Sequence, residues 1–167
     1  MRILLHLEAK GSNFIVAENK KVYIPRNAAE PGLCDPPAFA AELKWLVEIR
    51  KILTGMDFGE ALKTLMNVRN ISVERMESES GISVSTLKRL RAGQEATAEQ
   101  IVAIAVALQL PPTVSGDLLA MCGVRLDFNS TKNTAYQLIL ASQYTSSIEQ
   151  VSAFLETCGC KALKTAC

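Results

Sequence analysis

A mainly α fold is predicted: a five-helix unit preceded by a small β-meander plus helix and followed by a helical hairpin. Three observations predict it. Aliphatic residues dominate while aromatics reach only 5% of 167 residues, a usage that favours packed helices over a β-sandwich. Beyond position 37 apolar residues recur at helical spacing, in segments that open on Ser, Thr or Asp, the residues that cap helix starts. Only the first 25 residues alternate in the manner of strands. The expected division is residues 1–56 for the meander and an amphipathic helix, 57–124 for the five-helix unit and 125–167 for the hairpin.

Within 1–56, Ile3, Leu5 and Leu7 alternate, Phe14 to Ala17 form a short apolar run, and Val22-Tyr23-Ile24 follows Asn19-Lys20-Lys21. This predicts two or three antiparallel strands between Arg2 and Pro25. An isolated hairpin is marginal in water, so the meander needs the helices, a copy of itself or a longer domain to pack on. Residues 27–37, with Pro31-Gly32 and Pro36-Pro37, read as a linker-like bend. From Ala38 to Leu53 the residues Phe39, Leu43, Leu46, Val47 and Leu53 form the expected inner face of a helix. Trp45 falls on its polar side, where simple packing is preferred to a contact with the strands or another subunit.

The five-helix unit opens at Asp57, a cap residue with Glu60 three positions on, and its first helix runs to about Arg69 with Leu62, Leu65, Met66 and Val68 inward. Ser72 caps the next helix, in which Val73, Met76 and Ser80 share one side. Gly81 supplies the positive φ wanted just past a helix end, and Ile82 plugs the corner. Ser83 is a second cap, and Leu87 and Leu90 lie three apart on one face. That leaves Val84, Ser85, Lys88 and Arg89 outward on a short basic helix of a kind that enters a major groove. Thr97 to Gln100 is a capping box opening a helix apolar nearly all round to Leu108. Pro111 and Pro112 end that run, Thr113 or Ser115 is expected to cap the fifth helix, and Gly123 stops it.

The order and spacing of these segments, above all Ser83-Val-Ser-Thr-Leu-Lys-Arg-Leu-Arg-Ala-Gly93, resemble the Xre family of lambda-repressor and Cro-like helix-turn-helix regulators from about Phe58 to Val124. The resemblance implies a lambda-repressor-like DNA-binding domain that reads double-stranded DNA as a homodimer. It implies base contacts from Val84, Ser85, Lys88 and Arg89. It also implies phosphate contacts from Thr86, Arg91, Gln94 and the amides near Ser72 and Val73, with Arg75 in reach of the backbone or paired with Glu79. Three positions depart from the family's pattern: Val73 replaces a phosphate-clamping Gln, Glu77 replaces the Ala at the close crossing of the two motif helices, and Glu95 replaces a loop cation. Glu77 must therefore reach outward or push the helices apart.

Beyond Val124, an extended connector leads to a helix with Ala135, Leu138, Ile139 and Ser142 on one face. Ser147 to Gln150 is a further capping box, opening a helix with Val151, Phe154, Leu155 and Cys158 inward. This hairpin is expected to pack on the five-helix unit or to build a dimer.

Eighteen Lys and Arg against seventeen Asp and Glu leave a net charge of +1, so no bulk positive field holds nucleic acid and any affinity is local. Between Arg69 and Gly93 the cations Arg69, Arg75, Lys88, Arg89 and Arg91 outnumber Glu74, Glu77 and Glu79, and all three acids precede the glycine turn. Five cysteines without regular spacing argue for a reducing compartment. The apolar start is too short for a secretory leader and no span approaches membrane length, so a cytoplasmic location is expected. A thiolate site on Cys158, Cys160 and Cys167 lacks a natural fourth ligand short of Cys34, Cys122 or His6, so no metal and no cofactor are expected. Nothing orients Cys34 towards His6, the single histidine, and no phosphate-cradling or metallohydrolase motif occurs. No catalytic residues and no enzyme activity are expected. The competing reading is a protein-interaction module or antitoxin-like subunit of the same fold, with a protein partner gripped by the N-terminal region.

Overall fold

The computed structural model describes residues 13–17, 20–24 and 36–163. The chain divides into two compact units, Met1–Ile52 and Leu53–Cys167. Among the described residues there are eight helices: α1 (Pro36–Leu53), α2 (Phe58–Val68), α3 (Val73–Ser80), α4 (Val84–Arg91), α5 (Ala98–Ala107), α6 (Pro112–Met121), α7 (Thr131–Ser142) and α8 (Ile148–Thr157).

The expected fold class needs correction at its N-terminus. The architecture is helical, and the β-meander is not an element of it. Among the described residues, strand geometry is limited to one two-stranded antiparallel ladder, Asn13–Ala17 with Lys20–Ile24, in the register Asn13 to Ile24 and Ala17 to Lys20. The Ile3 to Leu7 run that would supply another strand lies outside the described residues. Two strands cannot enclose a core of their own, and the core of the second unit is made by helices, the turns between them and Leu163 beyond α8.

In the first unit, α1 begins two residues before the expected start, because Pro36 and Pro37 open it rather than forming a bend. Proline's missing N–H is no loss in a first turn, where that donor has no intrahelical partner. The expected inner face is also corrected. Trp45 and Ile49 are buried, whereas Leu43 and Val47 are 52% and 46% exposed. The buried stripe follows the indole at i, i+4 spacing rather than the more numerous aliphatics.

The second unit is built around α5. Every residue from Ile101 to Leu108 is buried, and α3, α6, α7 and α8 all pack against this helix. A helix apolar on all sides needs cover on all sides, so the C-terminal hairpin completes the cluster. Within it Ala135, Ile139, Val151 and Leu155 are buried as expected. Leu138 and Ser142 are exposed instead, and Tyr136 and Leu140 take their place. The expected cap of α6 is corrected too. Pro111 occupies the cap position with Pro112 first in the helix and no side-chain cap. The Ser115 hydroxyl, fully buried, donates back to Pro111 O at 3.2 Å.

Two polar links fasten this unit. The Arg69 guanidinium donates to Gln109 O at 2.7 Å, where Gln109 turns left-handed with φ +50°, and burial lowers its pKa to about 10. Lys132 on α7 meets Glu99 on α5 at 3.2 Å and lies 5.4 Å from the centre of the Tyr136 ring. The Tyr136 oxygen and then Glu99 raise the Lys132 pKa, while burial raises that of Tyr136.

Both shifts act in one direction. A group whose folded pKa is raised holds its proton more tightly in the native state, so its contribution is complete below the unfolded pKa and fades above it. These two groups therefore withdraw stability above about pH 10, where free tyrosine and then lysine titrate, while Arg69, with its lowered pKa, acts in the opposite direction there. Thermal melts between pH 8 and 11 should show a shallower alkaline decline for Tyr136→Phe than for the native chain. A second expectation concerns Gly116, in mid-α6, facing an open groove of about 520 Å³ between α6, residues 124–126 and α7. A Cβ there meets nothing within 4 Å. Gly116→Ala should stabilise the protein by about 0.5–1 kcal/mol, read as a rise of a few degrees in Tm.

Candidate nucleic-acid interface

α3 and α4 form a bihelical corner whose turn is fixed by local bonds. Ser72 accepts from Arg75 N and so caps α3, and Gly81 adopts φ +67° while donating to Glu77 O at 2.8 Å. Ser80 is fully buried at the bend. Its hydroxyl donates to Met76 O at 2.6 Å and accepts from Ile82 N at 3.2 Å, which satisfies an amide that the turn would otherwise strand. Ser83 then caps α4 by accepting from Thr86 N.

Leu87 and Leu90 are buried at 0% and 1% exposure, against α2 and α3. With 100° between successive residues, that fixes the outer face. Ser85, Lys88 and Arg89 are exposed, and Val84, Thr86 and Arg91 are half-buried. Three of the expected contact residues, Ser85, Lys88 and Arg89, thus share the outer side of α4, with Val84 half-buried at its leading end. Thr86 is tied inward, its hydroxyl accepting from Ser83 Oγ at 3.0 Å. The Nε of Arg91 is buried with no hydrogen-bond partner among the described residues, so the guanidinium lies low along the domain. Gln94 is exposed just past the helix, and its N–H donates to Arg89 O.

At the start of α3, Ser72 is exposed and Val73 half-buried. Arg75 is held by Glu79, Nε to Oε1 at 2.7 Å, so its guanidinium is directed at a neighbour on the same helix. The acids before the turn are not idle. Glu74 is held below the ordinary carboxylate range by its own backbone N–H, by the Ser72 hydroxyl and by the field of Lys88. The cations of α4 are therefore not unopposed in space, as chain order alone suggested.

Glu77 neither splays outward nor separates the helices. Its Oε1 accepts from Val84 N at 2.9 Å, linking α3 to the first amide of α4. No sequence pattern announces this contact, because it joins residues seven apart across a turn. Gly59 is the other residue that pattern reading passes over. A Cβ on it would lie 3.0 Å from Leu90 O, Arg91 O and Gly93 N, so α2 crosses the end of α4 backbone to backbone.

Residues 61–120 match the family model of the Cro/C1-type HTH DNA-binding domain. These residues are similar to a Cro/C1-type helix-turn-helix domain. The match runs from α2 through α6 and contains the whole bihelical corner. Comparison with curated proteins and with solved structures returns no match. A DNA-binding regulator of the Xre kind is the coarse function that this domain carries. Among the described residues no group of three or more His, Cys, Asp or Glu is placed to hold a metal ion. Cys122, Cys158 and Cys160 are free thiols, and His6, Cys34 and Cys167 lie outside the described residues. No described helix is long and apolar enough to cross a membrane.

The tight crossing at Gly59 yields an expectation. The three atoms that an added methyl meets are backbone and cannot swing aside. Gly59→Ala should therefore cost about 1–3 kcal/mol by overpacking, seen as a lower Tm without loss of helical signal at low temperature.

Proposed function

We propose that the chain is a sequence-specific transcriptional regulator, a dimeric repressor that lays α4 in the major groove of double-stranded DNA. One observation carries the reading: Ser85, Lys88 and Arg89 stand exposed on a helix whose opposite side is locked by Leu87 and Leu90. In this reading Val84, Ser85, Lys88 and Arg89 meet base edges, Val84 against a thymine methyl and the cations against guanine acceptors. Thr86, Arg91, Gln94 and the amides at Ser72 and Val73 hold phosphates, and Arg75 joins them on release from Glu79. Two-fold pairing doubles the contact and sets half-sites about one helical turn apart. The role is one of binding, without catalysis, in the cytoplasm.

A second reading is supported by Leu43 and Val47, exposed one turn apart on α1, an apolar edge suited to a protein partner. In it the N-terminal region grips another protein, as an antitoxin-like subunit does, and DNA binding is weak or absent.

DNA selection from a random pool separates the two. A palindromic motif supports the regulator, whereas a stoichiometric partner captured by the intact chain but not by a Leu43→Asp, Val47→Asp variant, with no DNA enriched, supports the interaction module. With the selected operator in hand, Arg89→Ala should weaken specific binding by about 1–3 kcal/mol. Arg91→Ala should weaken all sequences alike and flatten the salt dependence. Gel-shift titrations in which neither change alters operator affinity defeat the regulator reading.

A further inference from the structure

We propose that Glu77 is a specificity determinant of this domain: its carboxylate pins the reading end of α4 and at the same time discourages indiscriminate capture of DNA. The proposal rests on the regulator reading and adds to it a residue outside the expected DNA contacts.

The first amides of a helix lack intrahelical acceptors. In α4 the Ser83 side chain serves Thr86 N, and Val84 N is served by Glu77 Oε1 at 2.9 Å from the preceding helix. This is a bond between a charged acceptor and an N–H, directional and stronger than a neutral pair. The apolar contacts of Met76, Leu87 and Leu90 hold α3 and α4 together but tolerate small sliding and rotation. A hydrogen bond at the leading end does not. It fixes the depth at which Val84 and Ser85 are offered to a base edge.

Its charge has a separate effect. The positive end of the α4 dipole attracts phosphate of any sequence, and a carboxylate bonded to the first amide cancels that attraction. Glu79 is occupied by Arg75 at 2.7 Å, whereas the Glu77 charge sits one hydrogen bond from the reading residue. Non-specific affinity depends chiefly on net attraction to phosphates, and specific affinity also on groove contacts held in register. A group that lowers the first while fixing the second raises their ratio.

The two effects separate chemically. Glu77→Gln keeps an oxygen acceptor and removes the charge, while Glu77→Ala removes both. In the free protein, hydrogen exchange of the Val84 amide should stay slow in the native chain and the Gln variant and accelerate about 10-fold or more in the Ala variant. Against a scrambled duplex, both variants should bind several-fold more tightly than the native chain. Against the selected operator, the Gln variant should hold its affinity, while the Ala variant should lose about 10-fold. Unchanged Val84 exchange in Glu77→Ala, or an unchanged operator-to-scrambled ratio in both variants, overturns the proposal. A melt of each variant identifies loss of folding, and the Gln variant carries the charge test if the Ala variant does not fold. A native chain with no operator preference sinks the regulator reading and the discriminating role together, whereas Val84 exchange still decides the clamp.

Discussion

The burial of Leu87 and Leu90 governs the orientation of everything else on α4. Each leucine withdrawn from water contributes about 1.5–3 kcal/mol, and on an eight-residue helix two of them three positions apart leave a single way to dock. Rotation by even one residue would bring a leucine to the surface and push Lys88 or Arg89 into the core. The cationic face is thus a by-product of packing. Gly59 brings the backbone of α2 against the far end of the same helix, Glu77 holds its near end, and the leucines hold its middle.

Charge around this helix is arranged by partner more than by count. Arg69 contributes to a positive tally along the chain, yet it is turned inward onto the carbonyl of Gln109. Arg75 is matched by Glu79, and Lys88 lies within the field of Glu74. What remains on the outer side of α4 is a narrow positive strip inside a protein of nearly neutral balance. Such a strip attracts nucleic acid weakly at long range and depends on close fit for its affinity.

The parts of this structure that could be read from the sequence are those decided within one turn of helix. Asp57, Ser72, Ser83, Thr97 and Ser147 all cap the helices they precede, because a cap depends on a side chain and an amide three residues later. Gly81 was legible for the same reason. The exposure of Ser85, Lys88 and Arg89 followed from the spacing of two leucines. Features that depend on a distant surface were not legible. Trp45 and Ile49 outcompeted Leu43 and Val47 for the buried side of α1, and Tyr136 outcompeted Leu138 on α7, since periodicity ranks faces by residue number and packing ranks them by fit. Pro36-Pro37 was read as a bend, although proline is also at home in a first helical turn, whereas Pro111-Pro112 ends one helix as expected and also opens the next. The N-terminal alternation was real as a pattern but did not make a meander part of the fold. Glu77 was visible only as a side chain too long for its place, with no hint of the amide that receives it.

α5 is covered by α3 and α6 and also by α7 and α8, while the family match stops at residue 120. The stretch that identifies the domain and the stretch that keeps it folded therefore have different borders. Cut at the family boundary, the central helix would lose the cover of α7 and α8, and buried residues such as Ile139, Val151 and Leu155 would leave with the discarded piece. In this chain the segment that carries the family pattern and the segment that shelters its central helix share one interior, so sequence drift in the tail reaches α4 through α5 and α3.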